Sequence, residues 1–255
     1  MTSFDFGDSM GGVTTEDLIG FQDRVRGAFN WTYEADLDSA QGLRTACNQH
    51  PKAAAMGWSA ERRKQTLEDL RSRLLAADMV VLVGADAHRN QLDRNWPLGT
   101  EMVAADGAVG ACLGLVTPSC VVTDLDGGQH LDAAVEHGIP LVIHAHGDNK
   151  EAWGACLSKW ESSPPPLVLT HQTHEQHEDM INPGGFTDGD RAVCFLHWLG
   201  VPVERMAFIG YSTRRVGMWS GQTDPNRKLE KLAWMATVLD AVHPFWRTSA
   251  HDENR

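Results

Sequence analysis

Six short apolar runs constrain the fold of this chain more than any other sequence feature. They are MVVLV (79–83), EMVAA (101–105), CVVT (120–123), PLVIH (140–144), PLVLT (166–170) and MAFIG (206–210). The runs are apolar throughout instead of alternating, which is typical of strands covered on both faces in a parallel sheet. Helical patterns follow at 129–137, 150–160, 190–199 and 228–242. We therefore predict an α/β fold with a doubly wound, mostly parallel sheet.

The first 78 residues contain helical patterns and no run of strand character. Apolar residues recur at helical spacing over 14–29 and again over 60–78. We predict an N-terminal helical subdomain over 1–78, an α/β catalytic domain over 79–245 and a tail over 246–255.

Charge and cysteine content exclude several classes of function. The chain has 34 Asp and Glu against 22 Lys and Arg, a formal charge of -12, so it lacks the basic surface that grips nucleic acid or an anionic membrane. No window approaches about 18 consecutive apolar residues, and we expect a cytoplasmic protein. The five cysteines are scattered and form no CxxC pair, which argues against a disulfide framework and a thiolate zinc site.

Carboxylates follow the predicted strands where each one ends. Asp106 follows the second run, Asp124 and Asp126 follow the third, and Asp148 follows the fourth. Parallel strands bring their carboxyl ends to one edge of the sheet, where the carboxylates would repel one another without a cation. Asp124 and Asp126 are two residues apart and point the same way if the strand persists that far. Oxygen ligands suit Mg²⁺, which shares its coordination with phosphates, so we predict a site for a Mg²⁺-nucleotide.

A glycine-rich acidic segment over 182–191 leads into an amphipathic pattern. Its glycines allow close backbone approach, and a following helix start offers free N–H groups, so it is a candidate anion-binding or metal-approach loop. It lacks the sequence of a P-loop. Positive charge that could meet phosphates lies nearer the C-terminus, at Arg214, Arg215, Arg227, Lys228 and Lys231.

Four motifs in this order carry a family resemblance. They are ADGA (105–108), VVTDLDGG (121–128), VIHAHGDN (142–149) and GGFTDGDRAV (184–193). The chain resembles the archaeal-type 6-hydroxymethyl-7,8-dihydropterin pyrophosphokinases and, more distantly, the thiamine pyrophosphokinases. The resemblance implies transfer of the diphosphate of ATP to the hydroxymethyl group of a reduced pterin, giving AMP, in a pathway to methanopterin or folate cofactors.

The resemblance also implies roles for individual residues. The catalytic and Mg²⁺-binding carboxylates would be Asp106, Asp124, Asp126 and Asp148, with His146 as a further catalytic residue. Residues expected to line the nucleotide site are Gly84, Asn149, Thr187, Asp188, Asp190, Arg191, Lys228 and Lys231. One turn departs from the family pattern, since Gly84-Ala85-Asp86-Ala87-His88 stands where relatives usually have Gly-Ala-Gly-Pro-Ser. Asp86 therefore places a negative charge close to where a nucleotide or pterin is expected to approach, and the family pattern has no such charge there.

Three other functions stay open at this point. One is a thiamine pyrophosphokinase-like enzyme, and another is a non-catalytic nucleotide-binding module. The third is a zinc-dependent hydrolase that uses His144 and His146, together with His171, His174 and His177 if a helix places those three on one side. We expect ATP and a pterin alcohol as partners, and homo-oligomer formation stays open.

Overall fold

The computed structural model describes residues 12–147, 149–221 and 224–249, which form an α/β fold around one six-stranded sheet. The strands are β1 (Met79–Val83), β2 (Thr100–Ala105), β3 (Cys120–Thr123), β4 (Leu141–His144), β5 (Leu167–Thr170) and β6 (Met206–Ile209). All neighbouring strands are parallel, in the order β5-β4-β3-β2-β1-β6. The predicted doubly wound parallel sheet is confirmed.

Helices cover both faces of the sheet. They are α1 (Thr15–Phe29), α2 (Tyr33–Asn48), α3 (Ala60–Ala76), α4 (Arg89–Leu92), α5 (Val109–Cys112), α6 (Gln129–Glu136), α7 (Lys150–Lys159), α8 (Asp188–Leu199), α9 (Pro225–Val242) and α10 (Trp246–Ser249). Local capping fixes several of their ends. Thr14 and Asp17 form a capping box at the start of α1, and Asn30 ends that helix in a left-handed conformation at φ 53°.

Two cores lie on opposite faces of the sheet, because successive strand side chains point in opposite directions. Val81 and Val83 face a core formed with α2 and α4–α7, whereas Val80 and Leu82 face a core formed with α1, α3, α8 and α9. The N-terminal helices belong to these cores, since Leu43 of α2 lies in the first and Leu74 of α3 in the second. The sheet begins at Met79, and the helices before it pack in layers against the sheet, while the predicted domain boundaries stay predictions.

The C-terminal end of the described chain is also part of the core. Trp246 begins α10 and is buried, with its ring centroid 6.2 Å from that of Phe208 in β6. The tail predicted over 246–255 thus includes a residue that packs against the sheet. Its last residues, 250–255, lie outside the described ranges.

Two expectations from composition can be compared with the structure. Every cysteine is a free thiol, and Cys47, Cys112, Cys120 and Cys194 are buried. No helix in the described part of the chain combines the length and the apolar character needed to cross a membrane.

Candidate active site

A cleft lies at the carboxyl edge of the sheet where the strand order reverses. The chain proceeds from β1 to β5 in one direction and then places β6 on the other side of β1, and this reversal is where open α/β sheets bind ligands. Segments that follow three strands line the cleft, Gly84–Asp86 after β1, Asp106–Gly107 after β2 and Gly210–Ser212 after β6. Its position is that of a small-molecule site in an α/β fold.

Three carboxylates meet at this cleft and form what we call the acidic cluster. Asp106 follows β2, Asp126 follows β3, and Asp188 is the first residue of α8. One carboxylate oxygen from each lies within 4.8 Å of the other two. The arrangement brings together two of the predicted metal ligands and adds Asp188, which the sequence analysis placed only among the lining residues.

Asp106 is held in place by the loop after β3. Its Oδ1 accepts hydrogen bonds from Thr123 Oγ1 at 2.5 Å and from the Gly127 amide at 3.1 Å. Its backbone has a φ of 46°, which is unusual for a residue with a side chain. Gly127 is required there, because a Cβ at that position would lie 2.9 Å from both carboxylate oxygens of Asp106. The local backbone therefore aims this carboxylate into the cleft.

Asp124 and Asp126 have different partners, because the strand does not persist as far as these two residues. β3 ends at Thr123, and Leu125 between the two aspartates adopts a φ of 79°. Asp126 joins the acidic cluster, whereas Asp124 Oδ2 lies 3.3 Å from Nε2 of His146. The other carboxylate oxygen of Asp124 is buried and has no hydrogen-bond partner among the described residues.

The electrostatics of these aspartates follow from burial and from mutual repulsion. Burial, followed by the charges of neighbouring aspartates, raises the pKa of Asp106 and of Asp188 well above the ordinary value of 3.8. The pKa of Asp126 is also raised, by loss of solvent and by the charge of Asp124. Burial opposes ionisation of Asp124 too, but the hydrogen bond with His146 and nearby lysines lower its pKa overall.

These observations meet the requirements of a divalent cation site. Three acidic oxygens converge, a fourth buried oxygen lacks a partner, and the raised pKa values show that ionised carboxylates are poorly compensated by the protein. A cation with a preference for oxygen ligands would stabilise the ionised forms.

The loop before α8 positions Asp188 through its own internal contacts. Thr187 caps the helix, and Asp190 completes a capping box while accepting a hydrogen bond from the Phe186 amide at 3.0 Å. Arg191 is fully buried and donates to the Gly185 carbonyl at 2.8 Å. Thr187 and Asp188 line the cleft, but Asp190 and Arg191 do not, because both are used to hold the loop. Both residues have a structural role in the loop, and their predicted contact with nucleotide stays a prediction.

Asn149 makes three hydrogen bonds around the Asp124–His146 pair. Its Nδ2 donates to the carbonyls of His144 at 2.6 Å and of Asp124 at 3.1 Å, and its Oδ1 accepts from the His146 amide at 3.1 Å. The side chain is buried and connects the loops after β3 and β4. It thereby positions the Asp124–His146 pair, while the neighbouring Asp148 lies outside the described residues.

Two lysines on α9 approach the acidic residues. Lys228 lines the cleft, and Lys231 follows three residues later on the same helical face. The charges of both lower the pKa of Asp124. Gly84 also lines the cleft, and a Cβ there would lie 2.6 Å from the Gly210 carbonyl, so close packing of two strand ends requires glycine.

A segment that the sequence analysis did not identify covers part of the cleft. Residues 211–221, which we call the strap, follow β6 and cross the end of β1. Trp219 anchors the strap, since its Nε1 donates to the Ala87 carbonyl at 2.7 Å and its amide to the Ala85 carbonyl at 2.9 Å. Gly217 lies so close to Ala85 that a Cβ would fall 2.2 Å from its carbonyl carbon. A tryptophan and a glycine after a strand give no specific sequence signal for such a segment.

The strap also explains the unusual turn after β1. Arg215 Nε and Nη2 lie 2.6 and 2.5 Å from Asp86 Oδ2, and both residues line the cleft. The negative charge of Asp86 is therefore paired with the positive charge of Arg215, one of the basic residues near the C-terminus.

The histidines expected for a zinc hydrolase do not form a metal site in the described residues. The segment containing His171, His174 and His177 is not helical. His144 is buried, with Nε2 3.0 Å from Gln172 Oε1, and burial lowers its pKa well below 6.5. Across the described ranges, the candidate metal cluster of carboxylates, histidines or cysteines contains only the three aspartates of the acidic cluster.

Comparison with known proteins identifies relatives with one shared name. The chain is 31% identical over 183 residues to the 6-hydroxymethyl-7,8-dihydropterin pyrophosphokinase of Pyrococcus furiosus, covering 65% of this chain and 75% of that protein. It is 35% identical over 176 residues to the protein of the same name from Methanothermobacter thermautotrophicus, covering 65% and 73%. A third, from Methanocaldococcus jannaschii, is 38% identical over 99 residues, covering 37% and 40%. No family model matches the chain.

The fold and the cleft together define a doubly wound α/β enzyme with a carboxylate site at the switch point of its sheet. The chain belongs to the 6-hydroxymethyl-7,8-dihydropterin pyrophosphokinase family. The predicted family resemblance is thus confirmed, as is the prediction of an enzyme of the diphosphokinase class.

Proposed function

We propose that this enzyme transfers the diphosphate of ATP to the hydroxymethyl oxygen of 6-hydroxymethyl-7,8-dihydropterin, with Mg²⁺, and releases AMP and the pterin diphosphate. The main support is the convergence of Asp106, Asp126 and Asp188 beside a cleft at the switch point. The names of the relatives supply the acceptor and the type of transfer. The product would enter the synthesis of a methanopterin or folate type of cofactor.

The acidic cluster and Asp124 are the residues that would hold Mg²⁺. Bound there, the metal would neutralise the charge of the phosphates during transfer. Thr123 and Gly127 keep the carboxylate of Asp106 oriented before substrate arrives. Such preorganisation reduces the rearrangement needed when negative charge moves along the phosphate chain. Asp148 stays a predicted ligand.

Lys228 and the strap supply the remaining contacts for the nucleotide in this proposal. Lys228 brings a positive charge to the cleft from one side, and Arg215 does so from the strap. Gly84 and Gly107 line the cleft where β1 and β2 end, and the absence of a side chain at each lets the carbonyls of Gly210 and Trp219 pack closely there. The proposed site therefore binds ATP along the ends of β6, β1 and β2.

His146 is the group that we assign to accept the proton of the attacking hydroxyl. It is partly buried, and Asp124 and Asn149 fix the position of its ring and backbone. The pterin oxygen would attack the β-phosphorus of ATP, and the bond from that phosphorus to the α-phosphate oxygen would break. No protein residue becomes phosphorylated, because the acceptor alcohol attacks directly.

The nucleotide product provides the test. The enzyme is incubated with Mg²⁺, ATP and 6-hydroxymethyl-7,8-dihydropterin, and the nucleotides are separated by chromatography. We expect one AMP for each pterin diphosphate and no labelled protein when β-³²P ATP is used. Formation of ADP, or equal kcat/KM for thiamine and the pterin, would contradict the proposal. We expect the pterin to exceed thiamine by at least about tenfold, a difference of about 1.4 kcal/mol in transition-state binding.

A further inference from the structure

Three partly buried aromatic side chains lie beside the active site and have no role in the proposed transfer chemistry. Phe29 ends α1, Trp31 lies between α1 and α2, and Phe186 precedes α8. We call these three residues the aromatic patch. Burial of aromatic rings usually removes them from solvent, so a partly exposed group of three is a candidate binding surface.

The three rings of the aromatic patch pack against one another in a compact cluster. The three centroid distances are 4.9, 5.5 and 5.9 Å, and the interplanar angles are 17°, 38° and 24°. In a column of parallel rings, the distance between the outer pair would be about twice the distance between neighbours. Nearly equal distances instead place the rings at the corners of a triangle. Phe29 is stacked on both Trp31 and Phe186, and all three side chains are only partly buried, so the cluster presents aromatic surface to solvent.

The protein holds the aromatic patch in place from behind. The left-handed Asn30 turns the chain sharply between Phe29 and Trp31. On the other side, Gln22 of α1 donates to the Gly185 carbonyl at 3.0 Å, which fixes the segment just before Phe186. The face is therefore formed before any ligand binds, which reduces the entropy that binding costs.

The aromatic patch adjoins the acidic cluster through two connections. Phe186 precedes Asp188 by two residues, so their Cα atoms are at most about 7 Å apart. Lys231 provides the second connection, because its Nζ lies 5.3 Å from the Trp31 ring and 5.8 Å from the Phe186 ring. The same lysine lowers the pKa of Asp124 and of Asp126.

We infer that the aromatic patch binds the flat heterocycle of the acceptor, on the side of the acidic cluster opposite the nucleotide. This inference rests on the proposed function and names the part of the site that recognises the acceptor. Lys228 then faces the ATP cleft, while Lys231, one turn further along α9, stands between the heterocycle and the carboxylates. A hydroxymethyl group is one carbon long, so the ring that carries it must lie beside the phosphates.

The charge of the surroundings agrees with this occupant. Lys231 and Arg227 extend from α9 over the aromatic patch, with the guanidinium of Arg227 5.6 Å from the Trp31 ring. Both side chains are long and can move aside for an entering ring. A permanently cationic acceptor would be repelled by these two charges, whereas a neutral pterin would not, and its diphosphate product would gain an anchor.

Leucine substitutions test the inference, because they keep apolar volume and remove the aromatic face. We expect Trp31→Leu and Phe186→Leu to raise the KM for the pterin at least about tenfold, since stacking of one base on one aromatic ring has an effect of this size. The KM for ATP should stay within about twofold of the wild-type value. Trp31→Phe keeps an aromatic ring and should therefore retain most of the affinity for the pterin. Equal increases in both KM values, or pterin KM values within about twofold of the wild type in both variants, would overturn the inference.

Trp96→Leu is the matched control. Trp96 is also partly buried and also carries an arginine over its ring, with Arg94 at 3.8 Å, but it lies before β2, at the opposite edge of the sheet. We expect both of its KM values to match the wild type. Thermal denaturation shows whether each variant folds. If Trp31→Leu or Phe186→Leu does not fold, Phe29→Leu is measured in its place.

Equilibrium dialysis against oxidised 6-hydroxymethylpterin separates this inference from the proposed function. If the wild type fails to produce AMP from ATP and the pterin, the proposed function fails. Pterin binding that is lost in Trp31→Leu and kept in Trp96→Leu would still support the inference. Absence of pterin binding to the wild type would overturn both.

Discussion

Two carboxylate sites in this protein have opposite electrostatic environments. The acidic cluster places three aspartates together at the cleft. At the far edge of the sheet, the single carboxylate of Asp179 contacts Arg44 and Arg63 and accepts a hydrogen bond from Asn48 at 2.8 Å. Burial alone would raise the pKa of Asp179, but these partners lower it, whereas the pKa of Asp106 is raised well above 3.8.

The difference indicates which charges serve the fold and which serve a ligand. The arginines that neutralise Asp179 belong to α2 and α3, so this pairing attaches the N-terminal helices to the segment after β5. The acidic cluster has no equivalent pairing among the described residues, although the charge of Lys228 acts to lower the pKa of both Asp126 and Asp188. A bound cation is therefore expected to supply the positive charge that balances the acidic cluster.

The largest expected effect is the loss of activity on neutralising the acidic cluster. Asp126→Asn and Asp188→Asn keep side-chain size and remove charge, so we expect turnover to fall by about 1,000-fold. Thermal stability should be unchanged or higher, because repulsion between like charges is relieved. Asp179→Asn is the control and should retain turnover at a temperature where it is folded. Full activity in both cluster variants would show that the charges of Asp126 and Asp188 are not needed for catalysis.

The second prediction concerns stability. Asp179→Asn leaves the guanidinium of Arg63, which is 2% exposed, without its carboxylate. We expect the free energy of unfolding to fall by about 3 kcal/mol, as measured in urea. Asp38→Asn, which breaks an exposed pair with Lys150, should cost less than about 1 kcal/mol. Equal losses in the two variants would remove the distinction between a buried and an exposed pair.

A smaller effect should appear in the pH dependence of stability. In chelator, the raised pKa of Asp188 makes the folded state bind protons more tightly than the unfolded state, so its contribution lowers stability as pH rises from 3.8 through the raised value. Asp179 acts oppositely, since its contribution is present above 3.8 and is lost as pH falls through its lowered value. Denaturation at several pH values should therefore show that the free energy of unfolding of Asp188→Asn exceeds that of the wild type by an amount that grows as pH rises.

Addition of Mg²⁺ provides a second comparison of the wild type with Asp188→Asn. At neutral pH, Mg²⁺ at about five times its Kd should stabilise the wild type by about 1 kcal/mol and stabilise Asp188→Asn less. Equal stabilisation of the two proteins would show that Mg²⁺ binds elsewhere.

The smallest effect is expected at the Asp86–Arg215 pair. Arg215 is 65% exposed, and such pairs contribute at most about 1 kcal/mol. We expect Asp86→Asn to raise the KM for ATP by about twofold to fivefold, because Arg215 loses the contact that holds it at the cleft. The KM for the pterin should not change, and Asp93→Asn, at an exposed position after α4, serves as the control. A lower KM for ATP would mean that Asp86 repels the nucleotide.

Most of the fold could be predicted from the sequence, because strands buried on both faces are apolar at every position. Each strand begins and ends within one residue of a predicted run. The integration of the N-terminal helices could not be predicted in this way. It depends on contacts between distant residues, such as Arg63 with Asp179, and the amphipathic pattern of α3 does not specify what it packs against.

The candidate site was predictable where chemistry follows a strand directly. Asp106 and Asp126 are examples, and both lie in the acidic cluster. The divergence of Asp124 from Asp126 depends on the positive φ of Leu125, a residue type that gives no sign of such a conformation. The strap is anchored by Trp219 and Gly217, whose contacts with the segment after β1 involve only backbone atoms of that segment and so leave no sequence signal. The Asp86–Arg215 pair is a side-chain contact between the two segments, and its two charges are 129 residues apart in the sequence.

The long return from β5 to β6 determines when the site is completed during synthesis. Asp106 and Asp126 are translated early and belong to consecutive crossovers, but Asp188 lies on the segment that carries the chain back across the sheet. A nascent chain that ends before residue 188 therefore has only two of the three clustered carboxylates, and it also lacks β6, the strap and both lysines of α9. The three carboxylates proposed to hold Mg²⁺ are thus all present only after the first five strands have been made.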